Sequence, residues 1–297
     1  KESVFSGCSS LTTIDIPENI TSIGEDAFSG CSSLTTINIP KGITEIKESV
    51  FSGCSSLTTI DIPESVTEIG DCAFSGCSSL ITINIPKGIT EIGLQVFNRC
   101  SSLTTINIPE SVTEIGQRAF SGCSSLNTIN IPKSVTKIGD SAFSGCSSLT
   151  TINIPEGVTD IFSMIFYNCS NLISVTLPEG IEYIGDSAFH GCSNLNSINL
   201  PESLTSIGYE AFYDCINLNS IYLSERVTSI DMNVFTNCNN LTIITPKDSY
   251  AERYAKEHNI LYTSTSSPTG MPSPTVTPTP TTSPQPTQKP ETSVDSF

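Results

Sequence analysis

Eleven of the twelve cysteines stand at a constant step of 23 residues, from Cys8, Cys31 and Cys54 through to Cys238, and the register never slips. A fixed period between 20 and 50 residues marks a chain that winds one short unit again and again. Other columns keep the same step. Phe lies three residues before each of these Cys, from Phe5 to Phe235, and Leu three residues after it, from Leu11 to Leu241. Ile or Val follows at Ile14, Ile37 and Ile60 as far as Ile244, with a second apolar column from Ile16 to Leu223. Pro then closes the segment at Pro17, Pro40, Pro63 and onward to Pro201. Counted from Leu11, the array holds ten full coils, coil 1 being residues 11–33 and coil 10 residues 218–240.

The run Thr13, Ile14, Asp15, Ile16 alternates polar and apolar, the period of a strand with one buried face. Pro17 stops it, because proline has no amide hydrogen for the next ladder bond. Ile20 to Ile23 predicts a second short extended piece, and Gly24 is expected to permit the bend after it. Ala27 to Ser33 is too short for a stable helix, so one turn of α or 3₁₀ is expected there. A single coil buries too few apolar side chains to offset the entropy of ordering its residues. Stability must come from nearest neighbours along the stack, with strands of successive coils about 4.8 Å apart in a parallel sheet.

The unit, written as Leu11-Thr-Thr-Ile-Asp-Ile-Pro17, then Ile20-Thr-Ser-Ile-Gly24 and Ala27-Phe28-Ser-Gly-Cys31-Ser-Ser-Leu34, resembles the BspA-like class of bacterial leucine-rich repeats. The resemblance implies an α/β solenoid: a right-handed leucine-rich-repeat superhelix with short parallel strands, one-turn helical segments and a C-terminal capping helix. It also implies a non-enzymatic cell-surface or secreted protein concerned with adhesion. Its shared motif is made of core residues, so it carries over no particular ligand. The copies are unusually alike: residues 1–18 and 47–64 are identical, an offset of two coils, which points to duplication of a two-coil block.

Residues 1–262 are expected to form the solenoid, with the C-terminal cap beginning near 241. Within that cap, Asp248 to His258 reads as an amphipathic helix whose N-cap is Ser249 or Asp248. Lys1 begins inside a repeat, so further residues and an N-terminal cap are expected upstream. From Thr263 to Phe297 the composition shifts to Pro, Thr and Ser with no apolar period, which predicts a disordered linker acting as a spacer.

Thirty acidic residues against 13 basic ones give a net charge of −17, which opposes contact with nucleic acid or anionic lipid. No run of about 18 apolar residues exists to span a bilayer, so no membrane insertion is expected. The cysteine column admits three readings: neighbouring disulfides, a metal set, or free buried thiols filling core slots beside Phe and Leu. An odd number cannot all pair, and no Cys-x-x-Cys or His partner supplies a zinc set, so buried free thiols are expected. Cys72 stands outside the column and is expected to be an exposed thiol. The two histidines, His190 and His258, fall in no nucleophile-base pattern, and each Gly recurs as part of the repeat. No catalytic residue, cofactor or metal is therefore assigned.

A partner is expected on the face formed by the first strands. Its outward columns begin at Thr13 and Asp15 and are small and polar throughout, including Asn153, Thr176 and Asn199. They read equally as filler. Departures from consensus say more, and between Phe162 and Tyr222 they are largely aromatic: Phe162, Tyr167, Tyr183, His190, Tyr209, Tyr213 and Tyr222. Coils 7 to 10 thus hold the candidate contact patch, with Tyr167, His190 and Tyr213 in one column. Drift of older copies, or aromatic cover over the core near the cap, explains the same residues. A host or neighbouring-cell protein is the expected partner. The alternative is a glycan-binding module, with Tyr faces and Asn amides serving sugars, tethered by the linker to a separate enzyme or scaffold. Along the edge, Glu18, Lys41, Glu64, Lys87, Glu110 and Lys133 alternate in sign, so opposite charges are expected to face each other between coils.

Overall fold

The computed structural model describes residues 2–265, which wind as a parallel-strand solenoid with one helix near the C-terminal end. The Pro/Thr/Ser-rich segment expected as a linker lies, from 266 onward, outside the described residues. First strands stack in register one coil apart, Thr13–Ile14 on Thr36–Ile37, Thr59–Ile60 on Thr82–Ile83 and Thr151–Asn153 on Ser174–Thr176. Second strands form their own ladders. Glu45–Ile46 pairs with Glu68–Ile69, Glu91–Ile92 with Glu114–Ile115 and then Lys137–Ile138, and Tyr183–Ile184 with Ser206–Ile207 and then Ser229–Ile230. In the second strands the Ile side chains point into the core while the neighbouring residue faces water, as a two-residue period requires.

Phenylalanine forms the spine. From Phe5 to Phe235 each ring stacks on the next with centroids 5.2 to 5.8 Å apart. The column ends on Tyr254 of the capping helix, which meets Phe235 edge-on at 6.2 Å. The helix therefore supplies the aromatic that an eleventh full coil would have brought.

Where one helical turn was expected, the structure has consecutive tight turns. Asp26 and Gly30 both lie in the left-handed region, at φ 53° and 73°, which no α or 3₁₀ turn allows. The amides explain why. Ala27, Ser29 and Cys31 donate within their own coil, to Gly24, Asp26 and Phe28, while the intervening Asp26, Phe28 and Gly30 donate forward to Glu48, Val50 and Ser52. A helical turn would keep every donor local and leave the next coil's carbonyls unpaired. Amides at the start of the first strand run the other way, Thr35 donating back to Thr12 at 3.0 Å, so each coil is bonded to both neighbours. The glycine column that begins at Gly24 also has a different purpose from the expected bend. A Cβ on Gly70 would lie 2.6 Å from the Glu48 nitrogen, so glycine is there because backbones of adjacent coils touch.

The cysteine column is buried from Cys31 to Cys238 and every thiol is free. Each also donates a hydrogen bond that its spacing alone does not reveal. Cys77 Sγ reaches the Phe51 carbonyl of the previous coil at 3.1 Å, and the same bond recurs at every column position from Cys31 to Cys238. That carbonyl already accepts its own coil's Cys54 amide at 3.1 Å, so the thiol takes its second lone pair. Cys fits the slot because it is small, nearly apolar and still carries a hydrogen. Cys72, expected to be exposed, is half-buried, with Sγ 3.8 Å from Gln95 Oε1.

The cap holds the other end. Thr242–Pro246 extends the first-strand ladder from Ser220–Tyr222, and Leu261–Thr265 pairs with it in parallel, three residues past Tyr262. Ser249 is the N-cap of the helix Tyr250–Glu257, its Oγ accepting the Glu252 amide at 3.0 Å. The Glu252 carboxylate in turn accepts from Lys256 Nζ at 2.9 Å, from the Asp248 amide and from Ser264 Oγ at 3.0 Å. Among the described residues no helix is long and apolar enough to cross a membrane.

Two pH limits follow. Burial pushes the Cys54, Cys123 and Cys169 thiols from an ordinary 9.0 up to about 12. Below pH 9 folded and unfolded chains are equally protonated at these sites. Between pH 9 and 12 only the unfolded chain releases its protons, so stability falls as pH rises. The denaturant midpoint should hold steady up to about pH 9 and drop steeply above it, with a shallower drop in Cys123→Ala; a midpoint flat to pH 11 would contradict this. At the acid end, the Lys256 ammonium and the Asp248 amide hold the Glu252 carboxyl down at about 2. Its contribution is present above the ordinary value of 4.5 and is lost as pH falls through about 2. Glu252→Gln should therefore raise amide exchange in 242–265 at pH 7 while leaving coils 2 to 6 unchanged.

Candidate functional site

Hydroxyls on much of the coil are tied into the stack. Ser55 Oγ donates to the Ser32 carbonyl at 3.2 Å, Ser78 to Ser55 at 3.3 Å, and Thr113 Oγ1 to Thr90 at 3.3 Å, each one coil away. The outward first-strand columns are different. Among the described residues their few side-chain bonds are local or marginal, such as Thr128 to Asn127 at 3.2 Å and Asn38 to Glu18 at 3.5 Å. Thr82, Thr105, Asn84 and Asn107 line a shallow hollow of about 410 Å³ on this face. Its donors and acceptors are thus available to something outside the chain. The alternating charges from Glu18 to Lys133, expected to face each other, close no ion pair within 4.0 Å among the described residues.

The aromatic departures divide between surfaces according to their position in the coil. Tyr167, His190 and Tyr213 occupy the turn segment and form one stack, with both neighbouring centroid distances at 4.7 Å. His190 Nδ1 is shielded from solvent, makes no hydrogen bond and lies 3.4 Å from Glu210 Oε2. Tyr209, exposed at the surface, adjoins the same carboxylate, and Glu210 raises the pKa of its hydroxyl. Tyr183 lies on the second strand and donates its hydroxyl to Asp186 Oδ1 at 3.0 Å, and Asp186 Oδ1 also accepts the Tyr209 amide at 2.9 Å. Burial, reinforced by Asp186, pushes the Tyr183 hydroxyl up to about 12.

Five of the candidates are therefore linked: Tyr167, His190, Tyr213, Tyr209 and Tyr183. The other four are not. Asn153, Thr176 and Asn199 are exposed on the first-strand face, and Tyr222 belongs to the same face, half-buried and registered against Ile244. Sequence reasoning missed the two carboxylates that join the linked set, Glu210 and Asp186. A signal for Asp186 was present. Asp71 and Asp140 follow Gly in the same way, and each accepts the amide of the residue one coil later, Leu94 at 2.8 Å and Ser163 at 3.1 Å.

The stack also stabilises the coils that carry it. Replacing His190 with Ser, the commonest residue in that column, removes two aromatic contacts worth about 0.5 to 1.5 kcal/mol each. A loss of about 1 to 3 kcal/mol with an unchanged denaturant slope is expected, and unaltered stability would show that the rings only lie near one another.

Comparison with known proteins places this geometry. No curated protein matches the chain. Among solved structures, a leucine-rich repeat protein from Bacteroides ovatus is 29% identical over 90% of this chain and 87% of its own, with a TM-score of 0.56. A leucine rich cell surface protein from Faecalibacterium prausnitzii is 31% identical over 86% of this chain and 84% of its own, with a TM-score of 0.53. The leucine-rich repeat protein of T. pallidum is 33% identical over 62% of this chain and 77% of its own, with a TM-score of 0.50. The model of the BspA type leucine rich repeat region matches residues 1–127, 90–190 and 164–256, which run through the whole array into the capping helix. The chain belongs to the BspA-type leucine-rich repeat family.

Proposed function

We propose that this chain is a non-catalytic binding protein of the bacterial surface or exterior, presenting its solenoid to a host or neighbouring-cell protein. The family is one of repeat scaffolds, and the similar protein from F. prausnitzii is described as a cell surface protein. The observation that carries the reading is the contrast between tied and untied side chains. Hydroxyls on the flanks are used up in binding adjacent coils, while the Thr and Asn columns of the first-strand face, and the edges that the stacked aromatics of coils 7 to 10 leave uncovered, remain to meet a partner. Aromatic rings and amides of this kind favour protein contact surfaces.

The glycan alternative has less to draw on. Sugar binding wants open aromatic faces. Tyr167, His190 and Tyr213 cover one another's faces at 4.7 Å, leaving mainly edges and hydroxyls. A partner captured from host or neighbouring-cell surface extracts by the intact chain should bind the Tyr167→Ser, His190→Ser, Tyr213→Ser triple variant at least tenfold more weakly, with circular dichroism unchanged. Equal binding by the triple variant would remove the aromatic patch from the interface. A strong signal on a glycan array with no captured protein would replace this reading with the alternative.

A further inference from the structure

On the second-strand flank the glycine column runs without a break through Gly70, Gly93, Gly116 and Gly139. Lys47 holds the same position in coil 2 and Phe162 in coil 7, so the unbroken stretch has two defined ends. A groove of about 470 Å³ lies over it, floored by Gly93, Gly116 and Gly139 and closed at one end by Phe162. The floor cannot rise: a Cβ on Gly116 would stand 2.7 Å from the Gly93 carbonyl carbon, and one on Gly139 2.6 Å from the Gln117 nitrogen.

Asp71, Glu91, Glu114 and Asp140 line the groove with one cation, Lys137, and the second-strand column that supplies Glu91 and Glu114 continues beyond it to Glu68 and Glu45 with an unusual charge pattern. Glu45 is in register with Glu68, and Glu91 with Glu114, all in one column of outward second-strand positions. Like charges directly opposite in a sheet are destabilising. The same duplicated array alternates sign from Glu18 to Lys133 on its other edge, so repetition alone does not force a like-charged ladder. Lys137, in the next coil, sits 2.6 Å from Glu114 Oε1, and Lys47 lies 4.0 Å from Glu45. Among the described residues Glu68 and Glu91 have no cation within 4.0 Å. A single divalent ion does not answer this need, because no three carboxylate, imidazole or thiol groups among the described residues converge as a metal set. The carboxylates are spread along the stack, as a ligand of some length would require.

We propose that this groove docks an extended segment of a partner protein bearing Lys or Arg side chains, its cations set against Glu91 in the groove and Glu68 one coil before it, and its far end against the Phe162 ring, which can take a guanidinium on its face. The proposal rests on reading the array as a protein-binding scaffold and uses the second-strand flank of coils 3 to 7, apart from the Tyr167, His190 and Tyr213 stack of the turn segment. The test is fluorescence anisotropy with a fluorescein-labelled ten-residue peptide of alternating Lys and Ser, titrated with the intact chain at low salt. Saturable binding is expected, weakened at least tenfold in the Glu68→Gln, Glu91→Gln double variant. The Glu202→Gln, Glu225→Gln double variant, which removes the same charge from the opposite edge, should bind within twofold of wild type. The Tyr167, His190, Tyr213 triple variant should also bind normally, so the two readings stand or fall separately. Absence of saturation, or equal weakening in both double variants, would overturn the proposal.

Discussion

The contact between one coil and the next is what everything else in this molecule depends on. No coil has a core of its own. Its Phe ring is sandwiched between the rings above and below, its second-strand Ile residues pack against their copies, and its amides are shared with both neighbours. The backbone hydrogen bonds make this explicit, since donors at the start of the first strand reach back one coil while alternate turn-segment donors reach forward one. Such a chain grows by addition of identical layers, and stability accumulates along one axis.

That constraint sorts the residues into those that build and those that remain free. Inward positions must repeat, because each side chain fits against its own copy. Glycine recurs where coils touch, and the left-handed positions recur where the turn segment folds back. Cysteine is a builder too, adding a donor to a slot that otherwise asks only for a small apolar group. The outward first-strand columns, the second-strand wall and the aromatic departures of coils 7 to 10 are under no such requirement. Function is expected there because packing does not dictate those residues.

Much of the fold was legible in the sequence because the packing repeats. The Phe, Leu and Ile columns announced a stack, Pro17 and its copies ended each first strand, and Ser249 marked the start of the cap. What was illegible depended on relations between coils rather than within them. The segment from Ala27 onward has no local feature that rules out a helical turn; the reason for its shape is that alternate amides belong to the next coil. The thiol bond to a carbonyl 26 residues earlier is equally invisible in any single copy. For the candidate site, the stacking of Tyr167, His190 and Tyr213 could be read from their shared column, and it is what the structure shows. The separation of Tyr222 from Tyr183 could not be read from their proximity in the chain, because place in the coil decides which way a side chain faces.

Dependence on neighbours is most directly measured by unfolding shortened arrays. Chains that keep residues 218–265 and carry two, four, six or eight coils before them would be melted in denaturant, beside a peptide of coil 5 alone. The account predicts an unstructured peptide and a midpoint that climbs with each pair of coils added. A folded single coil, or a midpoint indifferent to the number of coils, would contradict it.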